Sequence, residues 1–321
     1  MTDHKATFVH VAVAVIINSN NEVLLALRPD DAHQGGLWEF PGGKLEPDES
    51  PLEALLRECR EELGVFVVSG YPLIKIKHEY DDRTVLLDVF VVDEYNGEAS
   101  GQEGQQIEWV AANCLQQKEM PAADMAIIQA INLPECYLIT PEPSMPDDEF
   151  IGIVDKRLSD GIRLIQFRAK NISDEKYRNL SSRLMQLTQS YDARLMLNIS
   201  PQKYSMYPSD GIHLDSQKLM TCVQRPVRAG VLFSASCHNL EQVQQANRLQ
   251  ADFIMISPVK PTTSHPDATP LGWPGFSDLC EMAKMPVFAL GGMQPKDVDT
   301  ARAYGGQGIA AISALWDLNN E

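Results

Sequence analysis

The sequence predicts two domains, an α+β unit at residues 1–133 followed by an α/β domain, a (β/α)8 barrel, at residues 134–321. The length of 321 residues favours two domains or one large barrel. The charge is uneven, because residues 1–133 carry 9 Lys and Arg against 23 Asp and Glu, and residues 134–321 carry 18 against 21. After Pro134, eight short apolar runs recur, most of them separated by segments with helical periodicity. A short linker near Leu133–Glu135 fits these observations.

The composition excludes several classes of protein. Hydrophobic residues make up 44% of the chain, enough for packed cores, and there is no apolar run of about 18 residues that could span a membrane. The start "MTDHKATF" lacks the basic and apolar regions of a signal peptide. The six cysteines form no Cys-x-x-Cys pair, which argues for a reducing compartment and against a disulfide framework or a zinc cluster. The net charge of −17 repels the phosphate backbone of a nucleic acid. We therefore expect a cytoplasmic protein without a membrane or nucleic acid polymer as partner, and the oligomeric state stays open.

The first half reads as strands around two helices. Strands are predicted at "FVHVAVAVIIN", "VLLALR", "YPLIKIKHEY", "TVLLDVFVVDEY" and "IEWVA", with a polar loop at "PDDAHQGGLWEFPGG" and a last helix at "PAADMAIIQAINL". In the helix "SPLEALLRECREEL", Ser50 and Glu53 predict a capping box, and Gly64 is placed to end the helix. Its predicted apolar stripe consists of Leu52, Leu55, Leu56, Cys59 and Leu63.

The same helix crowds three acids onto one face. Glu58, Glu61 and Glu62 stand in an i, i+3, i+4 relation, where like charges destabilise a helix. A divalent cation would compensate for that repulsion. The plain alternative is an amphipathic helix with a solvated acidic face.

The segment from Gly43 to Val65, "GKLEPDESPLEALLRECREELGV", fits the pattern G-x5-E-x7-R-E-U-x-E-E-x-G-U, with U apolar, at every fixed position. The first half thus resembles the Nudix hydrolases. The resemblance implies an α/β/α sandwich with a mixed sheet, and Mg²⁺, with Mn²⁺ as an alternative ion, held by Glu58, Glu61 and Glu62. Carboxylate oxygens suit such cations, and Arg57 would orient Glu61 by a salt bridge.

The resemblance extends over roughly residues 8–131 to the MutT-type branch, which clears oxidised guanine nucleotides. The positions that match nucleotide- or metal-binding positions of that branch are Arg28, His33, Glu39, Phe40, Pro41, Gly42, Tyr80 and Asp124. Gly42 would offer its carbonyl to Mg²⁺, and Glu103 in "GQEGQ" would add a metal ligand or the general base. Simpler alternatives are a surface position for Arg28, a loop position for His33 or Glu103, and core packing for Phe40 and Tyr80.

Asp124 departs from the MutT-type pattern, which usually has an Asn there to bind the oxidised purine edge. An amide donates and accepts hydrogen bonds, whereas an ionised carboxylate only accepts. Either Asp124 is protonated, or the base preference differs from the strict 8-oxoguanine pattern of that branch. The resemblance implies Mg²⁺-dependent cleavage of 8-oxo-dGTP to 8-oxo-dGMP and pyrophosphate, which keeps a mutagenic nucleotide out of DNA. The alternative substrates are another nucleotide or a thiamine-related diphosphate.

The second half resembles thiamine phosphate synthase, a (β/α)8 TIM barrel, over roughly residues 136–316. The motifs "QFRAK", "DGIHL", "SCHN", "SPVKPTTS", "ALGGM" and "GIAAIS" stand in that family's order. The ligand site implied by the resemblance consists of Gln166, Arg168, Lys170, Asn198, Ser236, His238, Thr262, Ser264, Gly291, Gly292 and Ser313. Its ligand would be a thiamine or thiazole phosphate, with the phosphate beside the last two strands.

The barrel differs from the family at residues that the family uses for catalysis. Ile199 and Lys218 stand where the family has its two Mg²⁺-binding acids, and His265 replaces a lysine, so synthase activity is not expected. The related thiazole tautomerase branch lacks these acids and uses a histidine for proton transfer. His238 or His213 fits that role, and each could equally be structural. A non-catalytic module that binds a thiamine phosphate is the remaining alternative.

Overall fold

A computed structural model describes residues 7–30, 34–80, 83–262 and 268–317. The chain divides into two compact units, Met1–Asn132 and Leu133–Glu321. Each unit has its own hydrophobic core. His33, Ser264 and His265, which the sequence singles out, lie outside the described residues.

The first unit contains strands and two α-helices in its described part. The strands are β1 Thr7–Ile16, β2 Glu22–Leu27, β3 Trp38–Glu39, β4 Gly42–Lys44, β5 Phe66–Glu79, β6 Arg83–Asn96 and β7 Ile107–Ala111. The helices are α1 Pro51–Leu63 and α2 Asp124–Ile131, with a 3-10 helix at Ala112–Gln117. The five predicted strands are present, but the segment predicted as a loop also forms the short strands β3 and β4. Neither of these two strands is long enough to show the alternation of apolar and polar residues by which a strand is predicted.

A mixed four-stranded sheet carries one helix on each face. Its order is β4-β1-β6-β5, with β1 parallel to β6 and the outer pairs antiparallel, and β3-β2-β7 form a second sheet. Alternate residues of β1 enter different cores: Ala12 and Ala14 share one with Leu55 of α1, and Val13 shares the other with Ile127 of α2. The predicted α/β/α sandwich is confirmed.

Helix α1 begins and ends as its sequence predicts, but its buried face differs. Ser50 and Glu53 form the capping box, and Gly64 ends the helix in the left-handed conformation at a φ of 69°. The predicted apolar stripe is wrong at Leu52 and Leu56, whose exposed fractions are 52% and 42%. The helix buries the narrower face formed by Ala54, Leu55, Cys59 and Leu63.

The second unit is a barrel of eight parallel strands. The strands are β8 Cys136–Ile139, β9 Leu164–Phe167, β10 Arg194–Asn198, β11 Gly211–Leu214, β12 Leu232–Cys237, β13 Phe253–Ile256, β14 Val287–Leu290 and β15 Gly308–Ala311. Its helices are α3 Asp147–Ser159, α4 Asp174–Ser190, α5 Pro201–Tyr204, α6 Ser216–Thr221, α7 Leu240–Arg248, α8 Gly272–Cys280, α9 Val298–Ala303 and α10 Ser313–Trp316, with a 3-10 turn at Pro295–Asp297. All eight predicted strands are confirmed, and α5, α6, α9 and α10 are reduced, as the short length requires.

Strand β15 pairs with β8 and closes the barrel. The barrel interior holds packed rings, with the Tyr137 ring 5.5 Å from Phe253 and 5.7 Å from Phe288. A larger core lies between the strands and the surrounding helices. Polar residues follow the carboxyl ends of several strands, where barrel enzymes place their sites. In the described part of the chain, every helix is too short or too polar to span a bilayer.

Candidate active sites

Arg57 connects the acids of the first unit. Its Nε and Nη2 bind Glu49 at 2.9 and 2.8 Å, and its Nη1 lies 2.7 Å from Glu58 Oε1 and 3.3 Å from Glu61 Oε2. Nη2 also donates to the Lys44 carbonyl at 3.1 Å. The predicted contact with Glu61 is present, but it is the longest of the four carboxylate contacts. Arg57 therefore fixes Glu49 and Glu58 more tightly than Glu61.

Glu62 is a carboxyl group in a setting that favours its neutral form. Burial and, after it, the charge of Glu58 together raise its pKa to about 8, against a hydrogen bond from the Gly42 N–H at 3.2 Å. A cation at this carboxyl would offset both penalties. The Gly42 carbonyl was predicted to bind the metal. In the structure, the backbone N–H of Gly42 donates a hydrogen bond to the Glu62 carboxyl.

Two glycines make room for these acids. A Cβ on Gly42, whose φ is 152°, would lie 2.1 Å from the Ala12 carbonyl oxygen. A Cβ on Gly43 would lie 2.0 Å from Glu58 Oε1. The Glu58 carboxylate thus occupies the space that any side chain at position 43 would need.

Glu103 reaches this cluster through a loop that Gln105 fastens. Gln105 Nε2 donates to the Glu62 carbonyl at 3.0 Å, and its Oε1 accepts the Glu103 N–H at 2.9 Å. The Gln102 N–H also donates to the Glu62 carbonyl, at 2.9 Å. The charge of Glu103 contributes to the raised pKa of Glu62, as expected for two carboxyl groups near each other. Gln105, which closes the "GQEGQ" segment, was not among the predicted site residues.

The donor set fits a hard divalent cation, but the acids are not gathered around a single point. Among the described residues, no three His, Cys, Asp or Glu side chains converge as a metal cage. Arg57 holds Glu58 and Glu61, which accounts for their positions. Carboxylate oxygens are nevertheless the ligands that Mg²⁺ prefers, and a cation bound there would favour the ionised form of Glu62.

A second cluster joins residues predicted to bind the nucleotide. Arg28 forms an ion pair with Glu39, and burial raises the pKa of the Glu39 carboxyl. Asp124, the first residue of α2, is only 7% exposed. Burial raises its pKa to about 8, with the Glu39 charge adding and Arg28 opposing. The raised pKa favours the protonated form of Asp124, which can donate as well as accept.

Tyr80 completes this cluster, and Phe40 does not join it. Asp124 and Arg28 both act on the pKa of the Tyr80 phenol, which burial raises, and the His78 ring lies 4.5 Å from the Tyr80 ring. Phe40 is 3% exposed and packs in the core beside α2, while the Pro41 carbonyl accepts the Ala14 N–H at 2.8 Å. For Phe40, core packing is the observed role of the side chain.

The barrel holds a cavity of about 590 Å³ at the carboxyl ends of its strands. Its walls include most of the predicted ligand site: Gln166, Arg168, Lys170, Asn198, Ser236, His238, Thr262 and Gly291. An adjoining cavity of about 220 Å³ shares Thr262 and Gly291 and is lined by Gly292 and Ser313. The structure thus brings together all the predicted residues of this site that it describes.

His238 presents one ring nitrogen to the cavity. Its Nδ1 lies 2.7 Å from the Ser257 carbonyl oxygen, which can only accept, so Nδ1 carries the hydrogen. Nε2 of a neutral ring is then an acceptor at the cavity wall. This arrangement suits a general base.

His213 is enclosed instead. It is 1% exposed, and its Nδ1 and Nε2 lie 2.8 and 2.9 Å from the hydroxyls of Ser234 and Ser236. Burial lowers its pKa to about 3, so the ring is neutral. The structural alternative therefore holds for His213, which does not line the cavity.

The positions of the two missing metal acids differ in their surroundings. Ile199 is buried, with 9% exposure. Lys218 forms an ion pair with Asp215, whose Oδ1 also caps α6 by accepting the Lys218 N–H at 2.9 Å. Asp215 lines the cavity, although it was not among the predicted site residues. Its signal was an acid directly after "GIHL", at a strand end and before a helix.

Comparisons with known proteins agree with this division. The family model "NUDIX domain" matches residues 12–130, and "Thiamine monophosphate synthase" matches residues 136–315. Over the first unit, the chain is 44% identical to the 8-oxo-dGTP diphosphatase of Proteus vulgaris, covering 30% of this chain and 85% of that one. It is 38% identical to the CTP pyrophosphohydrolase of Escherichia coli, covering 37% and 87%. Over the second unit, it is 29% identical to the thiamine-phosphate synthase of Methanococcus maripaludis, covering 57% and 87%.

Proposed function

This chain belongs to the Nudix family over its first unit and to the thiamine monophosphate synthase family over its second, and we propose that the first unit hydrolyses 8-oxo-dGTP. Water attacks a phosphorus, and the products are 8-oxo-dGMP and pyrophosphate. The observation that carries the proposal is the pairing of two clusters in one unit. One is the acidic cluster around Arg57 and Glu62, and the other is the cluster of Arg28, Glu39 and Asp124.

The acidic cluster supplies the diphosphate chemistry in this proposal. Glu58, Glu61 and Glu62 would hold Mg²⁺, and Glu103 would add a ligand or accept the proton of the attacking water. Bound Mg²⁺ neutralises charge on the phosphate oxygens. Arg57 positions Glu58, and Gln105 keeps the loop that carries Glu103 against the end of α1.

The second cluster supplies base selection. A protonated Asp124 has both a donor and an acceptor, as an amide has, so it can match a base edge that offers one of each. Tyr80 would flank the base, and Arg28 would bind it or its sugar while held by Glu39. The protonated carboxyl is the specific reason to keep an oxidised purine as the proposed substrate.

The test is pyrophosphate release from 8-oxo-dGTP, dGTP, CTP and thiamine diphosphate, with Mg²⁺, by the wild type and Glu62→Gln. A preference for 8-oxo-dGTP that is lost in Glu62→Gln supports the proposal. A preference for CTP would favour the second candidate, which the similarity to the CTP pyrophosphohydrolase supports. A preference for thiamine diphosphate would instead connect the hydrolase to the chemistry of the barrel.

For the second unit, we propose a site that binds a thiazole phosphate and moves a proton on it. The phosphate would lie in the smaller cavity beside Gly292 and Ser313, and the ring would lie in the larger one beside His238. The hydrogen bond from His238 Nδ1 to the Ser257 carbonyl, which makes Nε2 the acceptor of a neutral ring, is the observation that favours proton transfer. Synthase activity is not proposed, because a buried isoleucine and a paired lysine stand at the two positions of the metal acids.

Calorimetry of the full chain with thiazole phosphate, together with a turnover assay, separates three outcomes. Binding with turnover supports a tautomerase. Binding without turnover supports a sensor of thiamine phosphates, and no binding leaves the barrel as a scaffold for the hydrolase. The first outcome is the expected one.

A further inference from the structure

Glu142 lies in a rigid segment that follows β8. It stands between Pro141 and Pro143, and each proline fixes its own φ and favours an extended conformation in the residue before it. Pro143 is buried, and the Ser144 N–H donates to the Glu142 carbonyl at 2.8 Å. The Glu142 carboxylate therefore extends from a backbone that has little freedom to move.

Both oxygens of this carboxylate bind the loop that follows β9. The Lys170 N–H donates to Oε1 and to Oε2 of Glu142, at 3.0 Å each, and the Asn171 N–H donates to Oε1 at 2.8 Å. Hydrogen bonds from backbone N–H groups to a carboxylate are charge-assisted and stronger than those between neutral groups. One side chain thus fixes the backbone at two consecutive residues of the loop.

Thr140, directly after β8, fixes the start of the same loop. Its Oγ1 accepts the Arg168 N–H at 3.0 Å, and its own N–H donates to the Gln166 carbonyl at 2.9 Å. Thr140 is fully buried, so water does not compete for these hydrogen bonds. The segment after β8 therefore holds the backbone from the end of β9 to Asn171.

This loop carries two cations to the larger cavity. Arg168 and Lys170 both line the cavity, while Ala169 between them packs against the barrel core. In the described part of the chain, neither cation forms an ion pair, and the Glu142 carboxylate binds the backbone instead. Within that part of the chain, both positive charges are left for an anionic group of a ligand.

We propose that Glu142 is a positioning residue, which holds the loop after β9 so that Arg168 and Lys170 face the ligand of the barrel. The proposal rests on the ligand site proposed above. Glu142 itself touches no ligand. Its carboxylate acts on the backbone of Lys170 and Asn171, and the two cations act on the ligand.

The charge of Glu142 and its position have opposite effects on an anionic ligand. A carboxylate near two cations lowers their attraction for an anion, so by charge alone its removal would tighten binding. A carboxylate that holds the loop keeps the cations in place, so its removal would weaken binding. The Lys170 side chain is exposed, where water and salt screen charges, so we expect the effect of position to be the larger one.

The first test is calorimetry of thiazole phosphate with the full chain, as the wild type, Glu142→Gln and Glu142→Ala. The two variants have the same charge, but only the glutamine keeps an oxygen that can accept from Lys170 and Asn171. Glu142→Ala should weaken binding about tenfold, and Glu142→Gln should bind within about twofold of the wild type. Equal binding by both variants, or tighter binding by Glu142→Ala, would overturn the proposal.

A double substitution tests whether Glu142 acts through the cation. In a chain that already carries Lys170→Gln, adding Glu142→Ala should weaken binding only about two- to threefold, because one of the charges that Glu142 positions is gone. A further loss of about tenfold in that background would mean that Glu142 acts on the barrel as a whole. That result would contradict a positioning role.

Amide hydrogen exchange on the full chain without ligand tests the contact separately. The Lys170 and Asn171 N–H groups should exchange about tenfold faster in Glu142→Ala than in the wild type, with Glu142→Gln in between. The Gly161 N–H, which donates to the Leu158 carbonyl at 3.1 Å in the turn after α3, is the control and should not change.

The two kinds of measurement separate the role of Glu142 from the identity of the ligand. Unchanged exchange at Lys170 and Asn171 in Glu142→Ala would overturn the role of Glu142, whatever the barrel binds. Failure of the wild type to bind thiazole phosphate would overturn the proposed ligand. The exchange result would then decide alone whether Glu142 holds the loop.

Discussion

The guanidinium group of Arg57 binds the carboxylate of Glu49 through two parallel hydrogen bonds, from Nε to Oε1 at 2.9 Å and from Nη2 to Oε2 at 2.8 Å. This paired contact leaves Nη1 aimed at Glu58, at 2.7 Å. The planar fork of an arginine is needed for both contacts, and a lysine has a single ammonium group. Glu49 thus fixes the arginine that in turn fixes a proposed metal ligand.

Arg57→Lys should raise the Mg²⁺ concentration needed for half-maximal hydrolysis by about 10- to 100-fold, because groups that orient metal ligands have effects of that size. The measurement is a Mg²⁺ titration of pyrophosphate release. Arg60→Lys is the control, since Arg60 lies on the same helix with its side chain exposed. An unchanged Mg²⁺ requirement in Arg57→Lys would show that Glu58 does not need Arg57.

Gly43→Ala tests the space taken by Glu58. The added methyl group would lie 2.0 Å from Glu58 Oε1, so the carboxylate must move. A displacement of this size should lower kcat/KM about 100-fold while leaving the melting temperature near that of the wild type. Gly152→Ala on α3 is the control, because a Cβ there meets no atom within 4 Å. Full activity in Gly43→Ala would remove Glu58 from the proposed machinery.

The sequence predicted the elements that have a long or repeated pattern. The capping box of α1 and the eight barrel strands were confirmed, because local residue chemistry and apolar runs determine them. The buried face of α1 was predicted too broadly. Helical spacing alone placed Leu52 and Leu56 on it, whereas contact with β1 and β4 decides which side is covered. Tertiary packing therefore overrode the local pattern.

The parts of the sites that the sequence missed depend on partners from other strands. His213 was ambiguous because Ser234 and Ser236, which enclose it, stand 21 and 23 residues later. The register of β11 against β12 pairs His213 with Ser234, and no local pattern contains that register. Asp215 was missed for a related reason, since only the closed barrel shows that it faces the cavity.

Asp124→Asn should change base selection in a pH-dependent way. Below its pKa of about 8, the Asp124 carboxyl donates and accepts, as the amide would, so the ratio of kcat/KM for 8-oxo-dGTP over dGTP should differ little at about pH 6. At about pH 9 the ionised carboxylate only accepts, and the Asn variant should discriminate more sharply. Asp93→Asn is the control for loss of an exposed acid. Equal ratios at both pH values would contradict a role for Asp124 in reading the base.

The same substitution should also change how stability depends on pH. The pKa of Asp124 is raised on folding, so the unfolded state binds fewer protons than the folded state between about pH 4 and pH 8. The contribution of Asp124 is therefore fully present below pH 4 and is lost as the pH rises through 8. The melting temperature of Asp124→Asn, relative to the wild type, should increase from about pH 5 to pH 9. A constant difference across that range would mean that Asp124 is ionised in the folded protein.

His238→Ala should abolish proton transfer on a thiazole phosphate and leave nucleotide hydrolysis unchanged. The reason is that Nε2 of His238 is the acceptor at the cavity wall, held there by the 2.7 Å hydrogen bond from Nδ1 to the Ser257 carbonyl. His238→Asn is the matched variant, since its amide can still donate to that carbonyl but offers no imidazole base. Deuterium incorporation into the probe in D₂O, followed by NMR, should stop in both variants, while calorimetry should show weaker binding only in His238→Ala. Continued deuterium incorporation in both would assign the proton transfer to another group.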